Sequence, residues 1–156
     1  MAISGAYVAN DAISFKDCLV ETDLVADGTW ADIDSWSTEV AVSGEDVPTT
    51  QVYPFEGSAI VFAGNKSPVE VSVTSVYTEG STDPFQNIRD AFEAGDGPTF
   101  DVRFIPGGSA SGNFRFTTSG GKLTACPPPV GAGDASSATV FTFVVTADSL
   151  GRDAIT

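Results

Sequence analysis

The chain has 156 residues, 42% of them hydrophobic and eleven of them Phe, enough for one domain around a single packed core and too few for a second. Its net charge is −14 at pH 7 and it contains no His. These exclude Ser-His-Asp and Cys-His nucleophiles, remove the commonest zinc ligand, and disfavour binding to nucleic acid or anionic membrane.

Met1–Gly5 has neither a basic stretch nor an apolar core, so it does not read as a signal peptide. The first candidate strands are Ala12–Lys16 and Cys18–Val25. Cys18 and Cys126 make no disulfide framework and read as two free buried thiols. Asp27-Gly28-Thr29-Trp30-Ala31-Asp32-Ile33-Asp34 clusters carboxylates as a hard cation requires. It lacks the Asp-x-Asp-x-Asp-Gly order and the later Glu of a calcium loop, so it reads as a solvated acidic loop. Glu45-Asp46, adjacent on a turn, reads the same way.

Thr38–Val42 is the next strand, followed by a long connection around Val47–Pro54 with Pro near both ends, then a strand at Ser58–Phe62. Val69–Tyr77 alternates cleanly: Val69, Val71, Val73, Ser75 and Tyr77 share a face, opposite Glu70, Ser72, Thr74 and Val76. A helix follows over Pro84–Ala94. Asp83 is placed to cap it, Pro84 fits its first position, Gln86 can return a capping-box bond, and Gly95 is placed to stop it. The Asp83 cap is expected to contribute about 1 kcal/mol. Phe85, Ile88 and Phe92 form the helix's apolar face, and Phe92→Ala is expected to cost about 3–5 kcal/mol.

Thr99–Ile105 and Asn113–Thr118 read as a hairpin through Pro106-Gly107-Gly108. A symmetric register sets Phe104 opposite Phe114 and Val102 opposite Phe116, and Arg103 opposite Arg115 on the other face. Two opposed cations require carboxylates, from Asp101, another segment or a neighbouring subunit. Cys126–Ser137 is too rich in Pro, Gly and Ser for regular structure, and Thr139–Thr146 is the last strand. The densest apolar run, Val140–Val145, is only strand-sized, so no membrane insertion is expected.

No phosphate-binding loop is present, and Gly131-Ala132-Gly133 lacks the third glycine of a dinucleotide site. Asn65-Lys66-Ser67 matches a glycosylation acceptor by chance. No catalytic, cofactor or metal site emerges, and the chain reads as non-enzymatic. Its acids are unevenly spread: eleven against one base up to Gly57, and ten against six from Ser58 onward.

The order of these segments resembles the major tail tube proteins of long-tailed, non-contractile bacteriophages, from about Trp36 to Phe116 and more weakly in the final strand. Carrying the resemblance are Glu39-Val40-Ala41-Val42-Ser43-Gly44-Glu45-Asp46-Val47-Pro48-Thr49, the strand ending Tyr77-Thr78-Glu79, the capped helix, and Val102-Arg103-Phe104-Ile105-Pro106-Gly107 with its hairpin. It implies one β-sandwich or barrel-like domain over 1–156, flanked by one helix, with extended loops near 43–55 and 126–138 and no cofactor. Six copies would close a ring, and rings would stack into a tube in the virion tail, with tape-measure and tail-end proteins as partners. DNA would pass through an acidic lumen without specific binding.

The loop Ser43–Phe55 would then reach the adjoining ring, with Glu45, Asp46, Val47, Val52, Tyr53 and Phe55 as contact candidates. Deleting Glu45–Thr50 should leave a folded subunit that makes no tubes. Asp32, Asp34, Glu45 and Asp46 are the lumen-acid candidates, and Arg103 and Arg115 the candidates for charge pairing between subunits. Residues 1–30 and the proline loop fit the pattern poorly. The alternatives are another virion protein, such as a capsid-decorating or tail-end subunit, and a β-sandwich carbohydrate-binding module using Trp30, Trp36 or Tyr53.

Overall fold

The computed structural model describes residues 15–131, 133 and 138–156. Eleven strands are described, in chain order: β1 Leu19–Asp23, β2 Ala31–Asp32, β3 Ser37–Gly44, β4 Thr49–Val52, β5 Ile60–Ala63, β6 Val69–Val76, β7 Asp101–Ile105, β8 Phe114–Ser119, β9 Lys122–Ala125, β10 Val140–Ala147 and β11 Ser149–Ala154. The helix α1 spans Pro84–Glu93, between β6 and β7. A five-stranded sheet runs β11-β8-β7-β1-β2, a four-stranded sheet runs β3-β6-β10-β9, and β4 pairs only with β5. The fold is mainly β with one flanking helix, as the sequence indicates.

Alternation builds the four-stranded sheet. In β6, Val69, Val71, Val73 and Ser75 are buried, and β10 answers with Phe141, Phe143, Val145 and Ala147. Their register sets Val73 opposite Phe143 and Val71 opposite Val145, so one face is continuously apolar. From the other sheet, Val20, Val102 and Phe104 complete the core. Phe85 of α1 meets both Tyr77 and Phe141 edge-on, at centroid distances of 4.9 and 5.1 Å, and Phe100 meets Phe143 at 5.7 Å.

Several sequence expectations need correction. Asp83 makes no side-chain bond to the helix. Its carboxylate instead accepts the Gly80 N–H at 2.8 Å, tightening the preceding turn. The left-handed glycine beyond the helix is Gly97, at φ +64°, rather than Gly95. Phe92 is only partly buried, with the Arg89 guanidinium over its ring. Its truncation therefore costs less than a core Phe, about 1–2 kcal/mol by the area that it covers. Within Ala12–Lys16, Ala12, Ile13 and Ser14 lie outside the described residues, and Phe15–Asp17 is a 3-10 turn. Five of the last six residues of Cys126–Ser137 also lie outside.

The β7–β8 register is shifted by two residues from the symmetric one: Phe104 faces Phe116, and Arg103 faces Thr117. Asn113 causes the shift. Its Nδ2 donates to the carbonyls of Gly107 and Gly108, at 2.8 and 2.9 Å, which consumes the residue in the turn. Arg103 and Arg115 are therefore not opposed.

Candidate assembly surface

β4 and β5 form a hairpin that stands away from both sheets. Its register pairs Thr49 with Ala63, Thr50 with Phe62, Gln51 with Val61 and Val52 with Ile60. Directly paired residues share a face, so Val52, Ile60 and Phe62 make one apolar stripe. Every residue of both strands is exposed. At the tip, Tyr53 is 74% and Phe55 112% exposed. The expected loop Ser43–Phe55 is thus the first half of a strand-built arm.

The arm is built up from its root. Gly44 and Glu45 both take left-handed φ, +88° and +61°, which turns the chain out of β3. Only Gly fits at 44, because a Cβ there would overlap the Pro68 carbonyl oxygen. Asp46 and Ser67 exchange two bonds, Ser67 N to Asp46 O at 2.8 Å and Asp46 N to Ser67 Oγ at 3.0 Å. Gly64 N donates to Pro48 O at 2.7 Å, and Lys66 Nζ pairs with Glu45 at 2.5 Å. The root is firm, whereas an isolated two-stranded ribbon is marginal in water. An exposed apolar ribbon held out by a firm root is the kind of surface that marks an interaction site.

The charged candidates sit elsewhere. Arg103 lies directly across from Glu21 on β1 and makes a fork of two bonds to it, at 2.5 and 2.9 Å. Its guanidinium also stacks 4.4 Å from the Trp30 ring. Both bonds of Arg103 therefore stay within the chain. Arg115 faces Asp153 of β11, at a distance of 4.0 Å, and its buried Nε has no hydrogen-bond partner among the described residues.

Asp32 and Asp34 lie at the turn between β2 and β3, where Asp32 accepts the Asp34 N–H at 2.9 Å. Burial pushes the Asp32 carboxyl up, and the nearby Asp34 and Glu21 add to the rise. Asp27, bonded to Thr29 N–H, is lowered instead. The loop before β2 is organised by Asp23, which sequence reasoning did not single out. It is 2% exposed and accepts the N–H groups of Val25, Asp27 and Gly28, at 3.3, 3.2 and 2.6 Å. Losing a buried carboxylate with three donors should cost about 3 kcal/mol in Asp23→Ala, measured by urea unfolding.

The aromatic residues of the carbohydrate reading are dispersed in role. Trp30 lies beneath Arg103, Trp36 lines a cleft with Thr22, Pro84 and Ile88 beside the helix, and Tyr53 sits on the arm. Cys18 is half-buried and Cys126 buried; both are free thiols, and burial pushes both up. The Cys126 carbonyl accepts from Arg89 of α1 at 2.5 Å, which ties the start of the proline loop to the helix.

One surface was not legible beforehand. Phe114 of β8 is 48% exposed, because Ala154 opposite it on β11 is too small to cover the ring. With Pro106, Gly107, Asn113 and Phe116 it forms an apolar notch of about 190 Å³. Arg152 lies 4.8 Å over the Phe114 ring.

No protein-family model matches the chain, and no curated protein sequence matches it. Solved structures do share its fold. A chain in the tail of an empty gene transfer agent particle, refined with C6 symmetry, matches with a TM-score of 0.62 at 19% identity, over 91% of this chain and 99% of that one. A chain of the sheath–tube complex of an extracellular contractile injection system reaches 0.67 at 14% identity, over 94% and 95%. A chain in the tube-terminating cap of the anti-feeding prophage gives 0.65 at 14% identity, over 99% of both chains. The chain therefore has a fold found in components of tail and injection-system assemblies.

Proposed function

We propose that the chain is a tail tube subunit of a phage-type particle, acting by assembly and not by catalysis. Copies close into rings, rings stack, and DNA passes along the lumen to the host. The observation that carries this reading is the β4–β5 arm, whose apolar stripe and tip are uncovered on a fold shared with tail components. Heterologous contacts close a ring when the rotation is right, and a second contact stacks one ring on the next. Six-fold rings follow from the sequence resemblance, and the C6 symmetry of the gene transfer agent tail agrees with that number. The non-contractile assignment rests on the sequence resemblance, because the shared fold also occurs in contractile systems. Tape-measure and tail-end proteins are the further partners, and the subunit resides in the virion tail after synthesis in the host cytoplasm.

A cap-type role is a second reading, since a chain of a tube-terminating cap shares the fold. A cap stops at one ring, whereas a tube subunit stacks. Sedimentation of the purified protein at rising concentration separates them: a discrete ring supports the cap, and open-ended growth the tube.

Asp32, Asp34, Glu45 and Asp46 remain the proposed lumen acids. DNA carries one charge per about 1.7 Å of axis, so a basic wall would hold it and an acidic wall lets it slide. Of the four, Glu45 carries a Lys66 partner that offsets part of its charge. Lysine at Asp32, Asp34 and Asp46, sparing the Glu45–Lys66 pair at the root of the arm, should leave tubes intact and slow DNA ejection, with the defect easing as salt rises. Ejection at the wild-type rate would show that these acids do not line the path.

A further inference from the structure

The tip of the arm and the notch beside β11 are both apolar and carry opposite charges beside them. The tip offers Phe55, fully exposed, followed at once by Glu56. Neither Glu56 nor Arg152 makes an ion pair among the described residues. The notch is walled by Pro106, Phe114 and Phe116, and Arg152 lies over the ring of Phe114. At about 190 Å³ it is smaller than the roughly 300–1,000 Å³ of small-molecule sites and on the scale of a single side chain.

We propose that Phe55 of one copy seats in this notch of a neighbouring copy, with Glu56 set against Arg152. The proposal rests on the tube-subunit reading and names the surface that receives the arm. A Phe entering there stacks on Phe114 and Phe116 and removes apolar surface of both copies from water. Arg152, already on the Phe114 ring, is held there by that contact and needs little ordering to meet a carboxylate. The contact is heterologous, tip to notch, so every copy gives one arm and receives one, as a closed ring or a stack requires. Among the described residues neither surface is covered: Phe55 is fully exposed, and Phe114, paired with the small Ala154, is 48% exposed.

The test uses the full-length protein and reads the concentration at which half of it sediments as assembly. F55A and F114A should each raise that concentration about tenfold or more, as truncation of a central aromatic anchor does. E56R and R152E should each raise it several-fold, and E56R/R152E together should bring it back near wild type. Wild-type assembly by F55A, or a double variant no better than the single ones, would overturn the proposal. A photo-crosslinking Phe analogue at position 55 gives a readout that does not depend on tubes. The expected product joins two copies and maps to residues 106–116; a crosslink within one chain, a map elsewhere, or no product would overturn the docking. Crosslinks at the notch without rings or tubes would overturn the tube reading and keep the docking.

Discussion

Phe141→Ala is expected to lower stability by about 3–5 kcal/mol, a large share of the roughly 5–15 kcal/mol available to a domain of this size. Phe141 is fully buried on β10, at the point where the four-stranded sheet meets the helix through Phe85. It also lies 6.2 Å from Phe143, so its removal opens a cavity between two rings that cannot collapse without moving the strand. Phe92→Ala is the control, with an expected loss of about 1–2 kcal/mol because its ring is only partly buried. Urea unfolding of both variants checks the contrast, and equal losses would remove the helix–sheet contact at Phe85 and Phe141 from the centre of the core.

Replacing residues 48–65 with an Asn-Gly turn is expected to abolish assembly while leaving the subunit folded. The cut falls beyond the Asp46–Ser67 rung, so the two sheets keep all of their bonds and the root loses only the Gly64–Pro48 bond. It removes Val52, Phe55, Ile60, Val61 and Phe62, five exposed apolar side chains that contribute nothing to the described core. The melting temperature should stay within a few degrees of wild type. Deletion of Glu45–Thr50 is a poorer experiment, because it also destroys the Gly44–Pro68 elbow. Wild-type assembly by the armless variant would show that the apolar ribbon serves some other purpose.

Much of the sandwich is legible from side-chain alternation, because β6 and β10 each bury one face of four residues, and a one-residue slip would turn all four to solvent. The helix is legible from Pro84, Phe85 and Ile88. β4 is hidden because Thr49-Thr50-Gln51-Val52 buries neither face, and Pro48 and Pro54 read as loop punctuation. β11 is hidden for a related reason: Gly151, Arg152 and Asp153 carry turn chemistry, and the strand is held by its ladder to β8 more than by burial. β9 was detectable, since buried Leu123 alternates with polar Lys122 and Thr124. The hairpin register failed on one residue, Asn113, whose side chain the turn consumes. The carboxylate partners that Arg103 and Arg115 require are Glu21 and Asp153, one far away in the sequence and the other on an unexpected strand. The notch was beyond reach, since it arises from Ala154 and Phe114 meeting across that unexpected pairing.

Electron microscopy of the purified full-length protein tests the central claim most directly. The tube-subunit reading predicts rings with a central channel that stack into tubes as concentration rises, lost on removal of the arm and regained with it. Dispersed monomers at every concentration, with the arm present and the protein folded, would contradict it.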